Sequence, residues 1–223
     1  MSSQLISEII RYASIFSVAF PLILYLFRIK HLSRSGHKIG AIVIVSAVCD
    51  LIAHFLFEAK MSTVLVFNAY FLIFFVLLAW FYSDVLQTTR GKRTVQWGLG
   101  IYLLTYIVIA IFFQAFNEYQ TLMWTLSGAI CIIYSISYFI SVFSAVRPMN
   151  DFGLLWINSG ILFYFSFNLF LFIMSSYVLT KLEPELSLIV WSFHNVNNII
   201  KNILIGLGIS TVRADEIGAK DAV

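Results

Sequence analysis

The chain has few charged residues and few residues that break helices. Asp, Glu, Lys and Arg make up 11% of its 223 residues and hydrophobic types 61%, whereas a soluble domain carries about 25% charged residues. It has only three prolines and two cysteines, and the positions of Cys49 and Cys131 suggest neither a metal knuckle nor a disulfide. This composition excludes an ordinary soluble domain. The near-continuous apolar runs also exclude the alternating pattern of a transmembrane β-barrel.

Seven apolar segments are long enough to cross the hydrocarbon core of a bilayer as helices, which takes about 20 residues each. The segments cover residues 5–27, 39–57, 62–83, 95–116, 121–144, 152–178 and 186–210. They predict an all-α polytopic membrane protein, with a seven-helix transmembrane bundle over residues 1–212 and a short cytoplasmic tail over residues 213–223. The first segment has no basic leader and no small-residue cleavage site, so we expect it to remain as an anchor.

Lys and Arg are concentrated on alternate connectors between these segments. One side of the predicted membrane carries ten of them and the other side three. The ten are Arg28, Lys30, Arg34, Lys38, Arg90, Lys92, Arg93, Arg147, Arg213 and Lys220. The positive-inside rule therefore places the N-terminus outside and the C-terminus in the cytoplasm. We expect a multi-pass protein of the inner membrane whose partner is the lipid bilayer, and no nucleic-acid partner, because the net charge is only +3.

Two of the segments carry ionisable residues at membrane depth, where such groups are costly and usually face the bundle interior. Asp50 and His54 share one face of segment 2 with Ser46. Segment 7 has a polar stripe at i, i+3, i+4 and i+7 spacing, formed by His194, Asn197, Asn198 and Lys201. At about 1.5 Å of rise per residue, Asp50 and Lys201 come to matching depths near the midplane. His54 and His194 come to matching depths in the outer half.

These residues have two interpretations. Asp50 and Lys201 could form a buried ion pair that fixes helix packing. Alternatively, the polar residues line a pocket between segments 2, 3, 6 and 7 that opens to the outside. The predicted ligand-binding residues are then His54, His194, Asn68, Asn168 and Asn198, with Gln114 at a similar level. The second interpretation predicts a sensor or a small-ligand-binding protein rather than an enzyme, with no cofactor and no assigned catalytic residue.

Two stretches resemble a group of seven-helix membrane proteins from Bacteroidetes-type bacteria. They are WINSGILFYFS (156–166) and WSFHNVNNIIKNILIGLGI (191–209). Members of that group often lie beside sensor histidine kinases. The resemblance therefore implies a signal-sensing role, with a membrane sensor histidine kinase as a possible partner.

A fainter resemblance is to alkaline ceramidases and adiponectin-type receptors, which are seven-helix zinc hydrolases with Ser-x3-His on helix 2 and His-x3-His on helix 7. Here the corresponding spacings are Asp50-x3-His54 and His194-x3-Asn198, so the serine is replaced by Asp and the last histidine by Asn. The resemblance implies an intramembrane zinc-dependent lipid amide hydrolase. Asp50, His54 and His194 would then be the zinc ligands.

Lys201 also resembles the helix 7 lysine of microbial rhodopsins, which binds retinal as a Schiff base. That resemblance implies retinal on Lys201 and Asp50 as its counter-ion. The acidic and aromatic signatures of that family on helices 3 and 6 are not visible here.

Overall fold

A computed structural model describes residues 3–112, 118–144 and 152–212. Every regular element in these ranges is helical, which confirms the predicted all-α class. The elements are α1 (Ser3–Ser17), α2 (Ala19–Arg28), a short 3₁₀ helix (Ile29–His31), α3 (Arg34–Glu58), α4 (Val64–Val85), α5 (Thr89–Phe112), α6 (Thr121–Phe143), α7 (Phe152–Thr180) and α8 (Pro184–Thr211). Gln114, Arg147 and the tail over residues 213–223 lie outside the described residues.

Six helical stretches of the described chain are long and apolar enough to cross a membrane. They are the continuous run from α1 to the 3₁₀ helix, and each of the helices from α3 to α7. Such helices suit a multi-pass membrane protein. The remaining helix, α8, has 28 residues, but its polar stripe makes it less apolar than the others.

The first predicted segment is two helices rather than one. Val18 separates α1 from α2, and Pro21 follows three residues later. Proline has no backbone N–H, so it cannot donate to the carbonyl of Ser17, and its ring crowds that carbonyl. The helical ladder resumes where the Leu22 N–H donates to Val18 O at 3.2 Å. The first predicted segment is thus divided into two helices, although the run as a whole is long and apolar enough to cross a membrane once.

Helices α4, α6 and α7 supply most of the buried hydrophobic core, and α3 and α8 pack against it. Helix α8 packs on α7 and also on α1 and α2, α3 packs on α4, and α6 packs on α7. Helix α5 lies outside, against α4 and α6. The crossing of α7 and α8 is close, because a Cβ on Gly208 would lie 2.4 Å from Ile157 Cγ1 and 2.7 Å from Gly153 O. Small residues permit such contacts in lipid, where tight packing rather than water exclusion holds helices together.

One end of the bundle, which we call the basic end, contains Arg28, Arg34 and Lys38. Lys38 was predicted to lie in a connector, but α3 already begins at Arg34, and Lys38 is buried with 1% of its surface exposed. Its Nζ lies 2.7 Å from Asp84 Oδ2 and donates to Trp80 O at 2.8 Å. Burial is possible because a carboxylate and a carbonyl replace the water around the ammonium.

Arg28, which also lies at the basic end, binds the C-terminus of α8. It donates to the carbonyls of Ile209, Ser210 and Val212, with distances of 2.8 Å to Ile209 O and 3.1 Å to Val212 O. The last carbonyls of a helix have no partner within the helix and carry its negative dipole end. Arg28 therefore ties the end of α2 to the C-terminus of α8.

Candidate functional site

A group of polar residues lies near the middle of the bundle, between α3, α4, α7 and α8. We call it the central cluster, and its members are Asp50, Lys201, Tyr70, Tyr164 and Ser46. Lys201 is buried, with 3% of its surface exposed. Its Nζ lies 4.6 Å from the centre of the Tyr164 ring and 5.6 Å from that of Phe74. These aromatic faces attract an ammonium group but supply no oxygen to accept its protons.

Contacts between α8 and α1 fix the depth of Lys201. Asn198 Nδ2 donates to Ser14 Oγ at 2.9 Å, and Asn202 Nδ2 donates to Ser17 Oγ at 2.7 Å. Residue numbers rise together along the two helices, so α1 and α8 run parallel. Lys201 therefore lies at the level of Ser17, where the first span is broken.

Contacts between α3 and α1 place Asp50 at the same level. The rings of His54 and Tyr12 lie 6.0 Å apart in an edge-on arrangement. Asp50 precedes His54 by one turn of α3, which runs in the opposite direction, so Asp50 lies near the level of Ser17. The matching depth of Asp50 and Lys201 follows from these contacts.

Asp50 and Lys201 carry opposite charges at the same depth of the bundle. They do not form a direct ion pair, and neither side chain has a hydrogen-bond partner among the described residues. A bridged or direct contact between them stays a prediction. Lys201 is thus a buried ammonium group without a bonded oxygen among the described residues, whereas buried polar groups normally have partners.

Two tyrosines complete the cluster, and sequence reasoning did not identify either. Tyr70 Oη lies 3.1 Å from Ser46 Oγ, and both Tyr70 and Tyr164 lie within electrostatic range of Asp50. The sequence contains eleven tyrosines, and none of the patterns considered separates these two from lipid-facing or packing tyrosines. Their helix faces would have been needed to select them.

His194 belongs to the contact between α8 and α7. Its Nδ1 lies 3.1 Å from Asn168 Oδ1, which also accepts from Asn197 Nδ2 at 3.4 Å. Asn168 Nδ2 in turn donates to Tyr164 O at 2.8 Å. The structure thus brings together the predicted residues His194, two turns before Lys201 on α8, and Asn168, one turn after Tyr164 on α7.

His54 faces a different neighbour. Its Nδ1 lies 4.0 Å from Glu58 Oε1, and Glu58 is also 3.8 Å from Arg11 Nη2. His54 therefore contacts α1, whereas His194 contacts α7. Within the described residues, no three His, Cys, Asp or Glu side chains are grouped so that they could hold a metal ion. The zinc set of Asp50, His54 and His194 is not assembled in this arrangement.

The remaining predicted ligand residues have structural contacts. Asn68 is buried and holds the chain before α6, because its Nδ2 donates to Glu118 O at 2.8 Å and its Oδ1 accepts from Gln120 N at 3.3 Å. Asn198 faces Ser14 of α1. Their binding to a ligand stays a prediction.

An open cleft of about 500 Å³ lies at the far end of the bundle, opposite the basic end. It is lined by Phe57, Glu58, Lys60, Met61, Ser62, Thr63 and Tyr119. Neither His54 nor His194 lines it, although His54 is adjacent to its residue Glu58. The cavity at this end is thus nearer the surface than the one predicted between the two histidines.

A second group of buried polar residues differs from the central cluster, because its side chains are hydrogen-bonded to one another. Tyr82 Oη donates to Asn158 Oδ1 at 2.6 Å and lies 2.7 Å from Ser135 Oγ. Asn158 Nδ2 donates to Ser135 O at 3.2 Å. All three are fully buried and bonded to one another, which is the arrangement expected of interhelical packing.

No protein-family model, no curated protein and no solved structure matches this chain. The function is therefore inferred from the geometry and chemistry of the bundle.

Proposed function

We propose that this protein is a multi-pass membrane sensor that binds a small polar molecule at the central cluster, without catalysing a reaction. The proposal depends on one observation. Asp50 and Lys201 place opposite charges at the same depth of a membrane bundle, and neither side chain has a hydrogen bond or a direct ion pair among the described residues. The resemblance to seven-helix proteins beside histidine kinases adds the proposal that a membrane sensor histidine kinase receives the signal.

The physical reason is the cost of charge in a membrane. An Asp or Lys at the centre of a spanning helix costs about 2.5–3.5 kcal/mol on insertion scales, and such residues generally mark ligand or ion pathways. A pair kept only for packing would be expected to form a direct ion pair, as Lys38 and Asp84 do. Groups held near each other without such bonds are available to a third partner.

A thermal-stability screen of purified protein in lipid nanodiscs tests this proposal. A ligand that binds the folded state raises the unfolding midpoint in proportion to its occupancy. We expect at least one small polar compound to stabilise the wild type, and we expect Asp50→Asn and Lys201→Gln to abolish the effect. Stabilisation that both variants retain would contradict the central cluster as the site.

A second candidate function follows from the surroundings of Lys201. A primary amine enclosed by two aromatic rings, with no bonded acceptor, suits Schiff-base formation with an apolar aldehyde such as retinal. Addition of retinal should then produce a visible absorption band in the wild type but not in Lys201→Gln. A colourless wild type would reject this alternative.

We also propose that the basic end lies in the cytoplasm, with seven spans in the inner membrane and α8 as the seventh. The excess of Lys and Arg at this end supports that orientation. Reporter fusions after Leu32 and after Glu118 should report cytoplasm and exterior, respectively. The reverse pattern would contradict the orientation without affecting the proposed site.

A further inference from the structure

We infer that the ligand is a small zwitterion whose carboxylate binds Lys201 and whose ammonium group binds Asp50. This inference rests on the proposed function and narrows it to one chemical class. It assigns the two charges of the central cluster to the two ends of one molecule, placed between α3 and α8.

Charge balance is the first step. Asp50 and Lys201 together carry no net charge, and they lie at the same depth of the bundle. A simple anion at Lys201 or a simple cation at Asp50 would leave the site with one uncompensated charge, which is costly in a membrane interior. A molecule with both charges keeps the site neutral while giving each side chain its missing partner.

The second step is hydrogen bonding. The ammonium group of Lys201 has three donors, and a carboxylate accepts up to about four bonds. The rings of Tyr164 and Phe74 accept none of these bonds in the ordinary sense, and Lys201 has no ion pair within the described chain. A ligand carboxylate satisfies the Lys201 donors, and a ligand ammonium satisfies the Asp50 acceptors.

Hydroxyl and aromatic side chains surround the central cluster. Ser46 and Tyr70 are bonded to each other at 3.1 Å, and the centre of the Tyr164 ring lies 4.6 Å from Lys201 Nζ. The walls on the other sides are aromatic. We therefore expect a short, flexible chain between the two charged ends, because a bulky or multiply charged molecule would displace the packed rings.

Helix α3 offers a route from the surface. Asp50, His54 and Glu58 follow at successive four-residue intervals and so share one face of the helix. Glu58 lines the open cleft of about 500 Å³ at the far end. His54 Nδ1 lies 4.0 Å from Glu58, so polar side chains mark the path from the cleft to Asp50.

The inference is tested with a series of ω-amino acids, in which the distance between the ammonium and carboxylate groups increases with chain length. The probes are glycine, β-alanine, γ-aminobutyrate and 5-aminovalerate. They are used at up to about 10 mM, tenfold above a millimolar Kd, and binding is measured by the unfolding midpoint and by calorimetry in nanodiscs. We expect one length to bind best, because only one matches the separation of Asp50 and Lys201. Butyrate and butylammonium, each with a single charge, should bind at least about tenfold more weakly.

The variants Asp50→Asn and Lys201→Gln should each lower the affinity for the best zwitterion by about tenfold or more. If either single variant fails to fold, the double variant keeps the site polar and neutral and should show no binding. Lys38→Gln is the matched control, because it also replaces a buried lysine but lies at the basic end. It should retain the ligand-induced shift, starting from a lower midpoint.

The outcomes separate the two proposals. A ligand that carries one charge or none, yet needs Asp50 and Lys201, would overturn the zwitterion and leave the sensor in place. Failure of every member of the series to bind the wild type would also overturn the zwitterion. Binding that neither variant weakens would overturn both proposals.

Discussion

Within the described part of the chain, two buried lysines have opposite surroundings. Lys38 is 1% exposed, and its ammonium contacts the Asp84 carboxylate at 2.7 Å and Trp80 O at 2.8 Å. It also lies 4.4 Å from the centre of the Trp80 ring. Lys201 is 3% exposed and has aromatic rings beside it, but no bonded oxygen among the described residues.

The different surroundings of Lys38 and Lys201 distinguish a structural charge from a candidate functional one. A buried charge with a full set of partners stabilises one arrangement of helices, and its loss is felt as lost stability. A buried charge without bonded partners stabilises that arrangement less, but the free-energy cost of burying it in the membrane is the same. Its presence therefore needs another explanation. The charges at the basic end have bonded partners, whereas those of the central cluster do not.

The largest expected effect is at Lys38. Replacement by Met keeps the apolar stem but removes the charge, so the Asp84 carboxylate and Trp80 O each lose a bonded partner. We expect Lys38→Met to lower the free energy of unfolding by about 3 kcal/mol, typical of breaking a buried pair. Denaturant unfolding of the detergent-solubilised protein measures this loss.

The matched control for that change is Lys30→Met. Lys30 lies near the same end but is exposed, and surface substitutions usually shift stability by no more than about 0.5 kcal/mol. Equal effects of the two substitutions would contradict the role given to the Lys38 pair.

Arg28 is expected to have the next largest effect. Arg28→Gln removes the charge that bonds to the last carbonyls of α8 and opposes the helix dipole, which is worth up to about 2 kcal/mol in a partly buried position. Amide exchange should rise in the last turn of α8 more than elsewhere. Arg90→Gln, an exposed change in the first turn of α5, should leave that exchange unchanged. A uniform rise along α8 would show that Arg28 acts through global stability instead.

Double-mutant cycles compare the two charge pairs directly. We expect a coupling free energy of about 1 kcal/mol between Asp50 and Lys201, because their charges interact without a direct bond. Removing either one should destabilise the fold, and removing both should cost less than the two single effects added. The cycle for Lys38 and Asp84 should give at least twice that coupling. A larger value at the central pair would mean that it forms a direct ion pair and serves packing, against the proposed site.

The order and nature of the helices could be predicted from the sequence because length and hydropathy decide them locally. The described helices begin and end within a few residues of the predicted segments. The polar stripe of α8 was also visible, since helical spacing alone determines which residues share a face. Pro21 lies within the first predicted segment, just after the break between α1 and α2.

The partners of each polar residue could not be predicted in the same way. They depend on how each helix is rotated about its axis, and lipid-exposed helices that are apolar on most sides give little information about rotation. His54 and His194 lie at similar depths but contact different helices. Lys38 was assigned to a connector because its charge suggested exposure, and its partner Asp84 is 46 positions away in the sequence.

The smallest expected effect concerns Asn198, which was predicted to bind a ligand but donates to Ser14 Oγ at 2.9 Å. Asn202 makes the same kind of bond one turn later, to Ser17 Oγ at 2.7 Å. Interhelical hydrogen bonds in membranes contribute about 0.6 kcal/mol on average. We therefore expect Asn198→Ala and Asn202→Ala to lower the free energy of unfolding by similar small amounts, with the ligand-induced shift of the unfolding midpoint retained in both. If Asn198→Ala alone removed that shift, Asn198 would belong with Lys201 in the site rather than in the packing of α8 on α1.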